Sequence, residues 1–137
     1  VNVNERLLSL NQLAHTYMQS RNDTYVMELA IQYIRRNYPK PITLAMVSNE
    51  VSLNYAYFST MFSKYTGKTF SEYLRNTRME KAKELLRQPD ISIAEVAAQV
   101  GYENYKSFYR AFKDAVGTTP VEYQQKKYRI HREDEKQ

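Results

Sequence analysis

The chain repeats itself, and that repeat limits the possible folds more than any other feature. Shifted by 49 residues, Ile42 falls on Ile91, Ala45 on Ala94, Val47 on Val96 and Val51 on Val100, four identities within ten positions. From Tyr55 onward the offset is 50, which pairs Tyr55 with Tyr105, Phe58 with Phe108, Phe62 with Phe112, Gly67 with Gly117, Thr69 with Thr119, Glu72 with Glu122 and Tyr73 with Tyr123. The extra residue enters near Glu103-Asn104, where a turn tolerates it. Each copy reads as helix, short turn, helix, glycine stop and a new helix start. A solenoid usually needs roughly three or more repeats to stabilise itself, so two copies suit a tandem pair joined by a fixed spacer.

Local chemistry supports this reading. Ser92-x-x-Glu95, Thr69-x-x-Glu72 and Thr119-x-x-Glu122 fit capping boxes, in which a hydroxyl and a carboxylate satisfy the free backbone donors of a helix start. Pro120 suits a first helical position, where its missing N–H costs nothing. Gly67 and Gly117 fit left-handed helix stops. The segments 51–54 and 100–103 are short enough to force a sharp helix-turn-helix crossing.

With three glycines, four prolines and apolar residues at helical spacing throughout, the chain reads as all-α. We expect about seven helices, arranged as two helix-turn-helix subdomains joined by a long central helix, plus an N-terminal connector helix. Residues 1–24 carry Leu7, Leu10, Ala14 and Tyr17 along one stripe, which suits either a connector from a preceding domain or a loosely held terminus. The domain itself spans about 25–130. Val26, Leu29, Ala30, Tyr33 and Ile34 are spaced as a core-facing stripe that ends at Asn37-Tyr38-Pro39. The first unit covers about 42–67, the linking helix about 70–88 and the second unit about 91–117. Residues 131–137 read as a charged, disordered tail. A spacer helix from about Ser71 to Arg87 is roughly 26 Å long, and successive major-groove faces of B-DNA recur every ~34 Å.

Composition narrows the function. The 20 Lys and Arg against 15 Asp and Glu give a net charge of +5, which favours a polyanionic partner. The chain has no cysteine, so disulfides and thiolate chemistry are excluded and a reducing cytoplasm suits it. His15 and His131 are too far apart in sequence to suggest a metal site. No Gly-rich phosphate loop or nucleophile with its base is visible, and no apolar run is long enough to cross a bilayer. No enzyme activity, cofactor, metal or membrane partner is expected.

The second helix of each unit, about 54–65 and 104–116, is the candidate reading element. In the first, Phe58, Met61, Phe62 and Tyr65 mark the buried side, which leaves Ala56, Ser59, Thr60 and Ser63 outward. In the second, Phe108, Ala111, Phe112 and Ala115 point inward, which leaves Lys106, Tyr109, Arg110 and Lys113 outward. Arginine can bridge guanine O6 and N7, and lysine can neutralise phosphate, whereas a face of Ala, Ser and Thr approaches closely but adds little charge. The second unit is therefore expected to carry more salt-dependent affinity and the first to discriminate by fit. Asn54 and Asn104 fit helix caps whose neighbouring N–H groups can hold phosphates, and Lys64 and Lys68 are further phosphate candidates.

From about Ile42 to Tyr128 the sequence resembles the AraC/XylS family of transcription regulators. The carrying residues are Gly101-Tyr102, Phe108-Tyr109-Arg110-Ala111-Phe112-Lys113, Gly117-Thr118-Thr119-Pro120 and Tyr123. Phe70 to Leu74, Arg78 and Glu80 to Leu86 resemble the connecting helix of that family. The resemblance implies a two-lobed domain whose third and sixth helices enter successive major grooves of an asymmetric site. It points to Ala56, Ser59 and Thr60 in the first unit and to Tyr105, Lys106, Tyr109 and Arg110 in the second. Ser48, Ser52, Thr60 and Gln124 depart from the common family residues. The partners it implies are double-stranded promoter DNA and RNA polymerase; the stripe within residues 1–22 adds a self-partner, or an upstream sensor or receiver domain, as a further expectation. The rival reading is a helical protein–protein interaction module without direct DNA reading.

Overall fold

The computed structural model describes residues 22–136, which form seven helices and no strand. Helix α1 is described over residues 22–37, followed by α2 (Leu44–Glu50), α3 (Tyr55–Thr66), α4 (Phe70–Leu85), α5 (Ile93–Gln99), α6 (Tyr105–Val116) and α7 (Pro120–Lys136). Polar caps set most of these boundaries. Thr43 and Ser92 open α2 and α5 by accepting from the N–H of Met46 at 3.2 Å and Glu95 at 3.1 Å. Asn54 opens α3 by accepting from Ala56 and Tyr57, and Asn104 opens α6 by accepting from Lys106 at 2.8 Å. Each such cap is worth about 1 kcal/mol over alanine. Helices α3 and α6 both stop at a left-handed glycine, Gly67 at φ 74° and Gly117 at φ 89°.

The core divides into two lobes. Met27, Ala30, Ile31 and Ile34 of α1 pack with Ile42, Val47, Phe58, Phe62 and Leu74. Met79, Ala82 and Leu86 pack with Ile91, Val96, Ala97, Val100, Phe108 and Phe112. Helix α4 serves both. Its first half closes the first lobe through Phe70, Tyr73 and Leu74, and its second half takes in the second lobe the place that α1 takes in the first. The match is residue by residue, Met27 with Met79, Ala30 with Ala82 and Ile34 with Leu86. The aromatic centres repeat too: Phe58–Phe62 and Phe62–Tyr73 ring centroids lie 5.5 and 5.3 Å apart, and Phe108–Phe112 and Phe112–Tyr123 lie 5.8 and 5.6 Å apart.

Several expectations change. On α1 the buried stripe is Met27, Ala30, Ile31 and Ile34, with Val26 and Tyr33 beside it, while Leu29 is 38% exposed. Apolar residues cover so wide an arc of this helix that two neighbouring stripes satisfy the period. Tyr65 and Ala115, placed inward by spacing, are exposed; the Tyr65 hydroxyl instead donates to Glu28 of α1. The linking helix ends at Leu85 rather than near Arg87. Ser92-x-x-Glu95 makes only the hydroxyl arm of its capping box, since the Glu95 carboxylate accepts from Gln99 Nε2 at 3.3 Å. The charged C-terminal segment is not a coil: α7 continues to Lys136. It lacks Gly and Pro after its first residue and is rich in good helix formers, and Arg132 stacks one turn above the Tyr128 ring at 5.7 Å. Residues 22–24, assigned to the connector, already belong to α1. The stripe from Leu7 to Tyr17 and His15 lie outside the described residues.

Candidate nucleic-acid interface

Helices α3 and α6 are each the second helix of a helix-turn-helix, anchored by two buried phenylalanines one turn apart. At 100° per residue, Phe58 and Phe62 drive Ala56 and Thr60 to the opposite side of α3, and Phe108 and Phe112 drive Lys106 and Arg110 to the opposite side of α6. All four outward residues are exposed. Ser59 and Ser63 flank the α3 stripe and are half-buried; Tyr109 flanks the α6 stripe, half-buried, and Lys113 is exposed. Tyr105 begins α6 with 43% of its surface open, its ring 6.1 Å from that of Tyr109. Tyr105, Lys106, Tyr109, Arg110 and Lys113 thus form one continuous surface, with Asp114 at its edge. Ala56, Ser59, Thr60 and Ser63 form the equivalent stripe on α3, smaller and uncharged.

Charge separates the two stripes. Ion pairs join Lys81 to Glu84 at 3.3 Å and Lys83 to Glu80 at 2.9 Å, both on α4. Among the described residues, Lys106 and Arg110 are exposed and neither is paired with a carboxylate. Lys113 is close enough to Glu122 to help hold that carboxyl below the usual range, after the larger effects of hydrogen bonds from the Thr118 hydroxyl and the Thr119 N–H. On α3 the cation beyond the stripe is Lys64, and Lys68 follows the glycine stop; both are exposed. Asn54 and Asn104 use their side-chain oxygens to cap the N–H groups of Ala56 and Tyr57 and of Lys106, and the N-terminus of a helix favours an anion nearby.

Two residues not singled out from sequence join this surface. Tyr55 opens α3 with 56% of its surface exposed, as Tyr105 opens α6. Their pairing in the repeat was the available signal. Arg75 of α4 lies with Tyr55, Ser59, Arg78 and Tyr102 along a groove between the two units, and nothing in its local spacing marks it. Two of the departures from the family pattern make local hydrogen bonds. Ser48 is buried with its hydroxyl donating to Ala45 O at 2.9 Å, and Gln124 Nε2 donates to Gln88 O and Ile91 O at 3.0 and 2.8 Å, pinning the α4–α5 turn to α7.

Comparison with known proteins places this architecture. A family model described as a helix-turn-helix domain matches residues 47–126. The regulatory protein PocR of Salmonella typhimurium is 34% identical over 99 residues, covering 72% of this chain and 33% of that protein. The transposon Tn10 TetD protein of Escherichia coli is 30% identical over 117 residues, covering 85% of each. The solved C-terminal domain of AraT, a response regulator from Geobacillus stearothermophilus, shares 34% identity at a TM-score of 0.71, covering 74% of this chain and 84% of that one. The chain spans 36% or less of the length of several curated relatives it matches. Such relatives are transcription regulators rather than enzymes, and a purely protein-binding module is not favoured. No described helix is long and apolar enough to cross a membrane. The chain belongs to the AraC/XylS-type family of helix-turn-helix DNA-binding domains.

Proposed function

We propose that the chain reads an asymmetric promoter site by inserting α3 and α6 into successive major grooves on one side of the duplex. The observation that carries this is the pairing of two outward helix faces in one chain, one cationic and one small and neutral, held apart by a shared helix. The 16 residues of α4 span about 24 Å, and the recognition helices project from either end toward grooves that recur every ~34 Å. In this reading Arg110 bridges a guanine, Lys106 and Lys113 neutralise phosphates, and Tyr105 and Tyr109 fill the groove beside them. Ala56, Ser59, Thr60 and Ser63 admit close approach to thymine methyls and single hydrogen bonds. Asn54, Lys64, Lys68 and Asn104 sit where the phosphate backbone would pass. The cytoplasm and a promoter complex with RNA polymerase are the setting this function implies.

The test is selection from a randomised duplex library, followed by anisotropy titration of the recovered sequence at several salt concentrations. The expected result is a site of about two helical turns, bound with a marked salt slope. Failure to enrich any sequence, or binding that salt does not weaken, would overturn the proposal.

A further inference from the structure

The two lobes meet directly as well as through α4. Arg78, half-buried near the middle of that helix, donates from Nε to the carbonyl of Tyr38 at 2.8 Å and from an Nη to the carbonyl of Lys40 at 3.0 Å. Both acceptors lie in the α1–α2 loop of the first lobe. The same guanidinium covers the ring of Tyr102, 5.5 Å from its centroid, and Tyr102 belongs to the α5–α6 turn of the second lobe. Gly101, one residue earlier, presses on the same loop: a Cβ there would lie 2.9 Å from Pro39 O and 3.0 Å from Tyr38 O. Tyr38 itself packs against both cores.

The loop that leads into one helix-turn-helix is therefore locked against the turn that leads into the other recognition helix. Charge-assisted bonds to backbone carbonyls are shorter and stronger than neutral ones, and the planar guanidinium fixes direction as well as distance. A single helix joining two lobes would leave them free to bend and twist about it; a second point of contact removes that freedom.

We propose that Arg78, with Gly101 and Tyr102, is a positioning clamp that sets the angle and distance between α3 and α6, and so the spacing of the two half-sites the protein accepts. This rests on the DNA-reading proposal above. One inserted base pair moves the second half-site by about 3.4 Å and turns it by roughly 35° about the duplex axis, a displacement that a rigid pair of helices cannot follow and a hinged pair can.

Two measurements test it. The chain has no cysteine, so Glu50→Cys/Gln99→Cys places one spin label at the end of α2 and one at the end of α5, and pulsed dipolar spectroscopy without DNA reads the distribution of distances between lobes. The unmodified clamp should give one narrow distribution, and Arg78→Met a broad one at unchanged helix content. In parallel, the duplex recovered by selection is compared with versions carrying one added or one deleted base pair between its halves. The original protein should lose at least about tenfold in affinity on either altered duplex, and Arg78→Met should lose affinity mainly on the correct spacing, bringing the ratio within about threefold. Arg78→Lys keeps the charge but not the fork and should fall between. If Arg78 acts only as a surface charge, Arg78→Lys will match the original protein, and Arg78→Met will weaken all three duplexes equally with a narrow distance distribution. That outcome overturns the clamp. Failure of the original protein to select any sequence would instead overturn the DNA-reading proposal, while the spin-label result still reports on lobe rigidity.

Discussion

Ser52 stands at φ 58°, in the left-handed region, at the turn position that Gly101 occupies in the second unit. A side chain there costs about 1 kcal/mol that glycine avoids, and glycine returns part of this through its freer unfolded chain. Ser52→Gly should therefore raise stability modestly, by up to about 1 kcal/mol, seen as a higher urea midpoint at constant slope; a lower midpoint would show that the serine is not strained. Arg110 is exposed and, among the described residues, is not paired with a carboxylate. Arg110→Ala should cost on the order of 1–3 kcal/mol in binding and relax one base position, measured by repeating the site selection with the variant. At this scale the sequence was most informative where a residue's chemistry is strong. Glycine stops and Asn, Ser and Thr caps were legible because few residues can do those jobs. Ser52 was marked only as a departure from the family pattern and not as a strained residue, because serine carries no left-handed signal, and Arg78 was marked only by its resemblance to the connecting helix, because its partners Tyr38 and Lys40 lie about 40 residues away.

Among the elements, α3 and α6 share a scaffold but differ in what they show to solvent. Ser59→Ala/Thr60→Ala should weaken binding with little change in salt slope, whereas Lys106→Ala/Arg110→Ala should weaken it and flatten the slope by about one unit or more. Equal slopes for the two double variants would contradict the division of labour. Helix α7 supplies a pH prediction. The Glu122 carboxyl is held below its ordinary range, first by the Thr118 hydroxyl and then by the Thr119 N–H. A carboxyl depressed in the folded state stabilises above its unfolded value, and that contribution is lost as pH falls through the folded value. Glu122→Gln should therefore lower stability near neutrality, and the difference from the original protein should vanish in acid, below the ordinary glutamate range, in parallel thermal melts. Element types and most boundaries were legible from the repeat and the caps. Periodicity failed on α1, where too many apolar residues blur the stripe, and on the end of α7, where charge suggested disorder in a segment of good helix formers. The kinship of α1 with the second half of α4 was hidden too, because Met27 and Met79 stand 52 residues apart while the rest of the repeat runs at 49 or 50.

For the whole molecule, the decisive property is that two unlike outward helix faces are covalently joined in a fixed order, and the proposed DNA reading turns on that order. A symmetric dimer places identical faces on the two halves of a palindrome. Here the cationic Lys106, Arg110 and Lys113 face and the neutral Ala56, Ser59, Thr60 and Ser63 face cannot both be satisfied by the same half-site. Consider a duplex in which the half assigned to α3 is replaced by an inverted copy of the half assigned to α6. The face of α3 then meets bases chosen for arginine and lysine, and each mismatched pair costs about 1–3 kcal/mol. Only the α6 half is read, the phosphate contacts remain, and affinity should fall at least about a hundredfold while the salt slope changes little. Stoichiometry separates the alternatives. One chain per original duplex, with weakened binding on the palindrome, is expected from a single chain carrying both faces. Two chains bound on the palindrome at undiminished affinity would mean that α6 reads alone and that α3 serves only the scaffold. Isothermal titration of both duplexes decides between them, since it gives affinity and stoichiometry together.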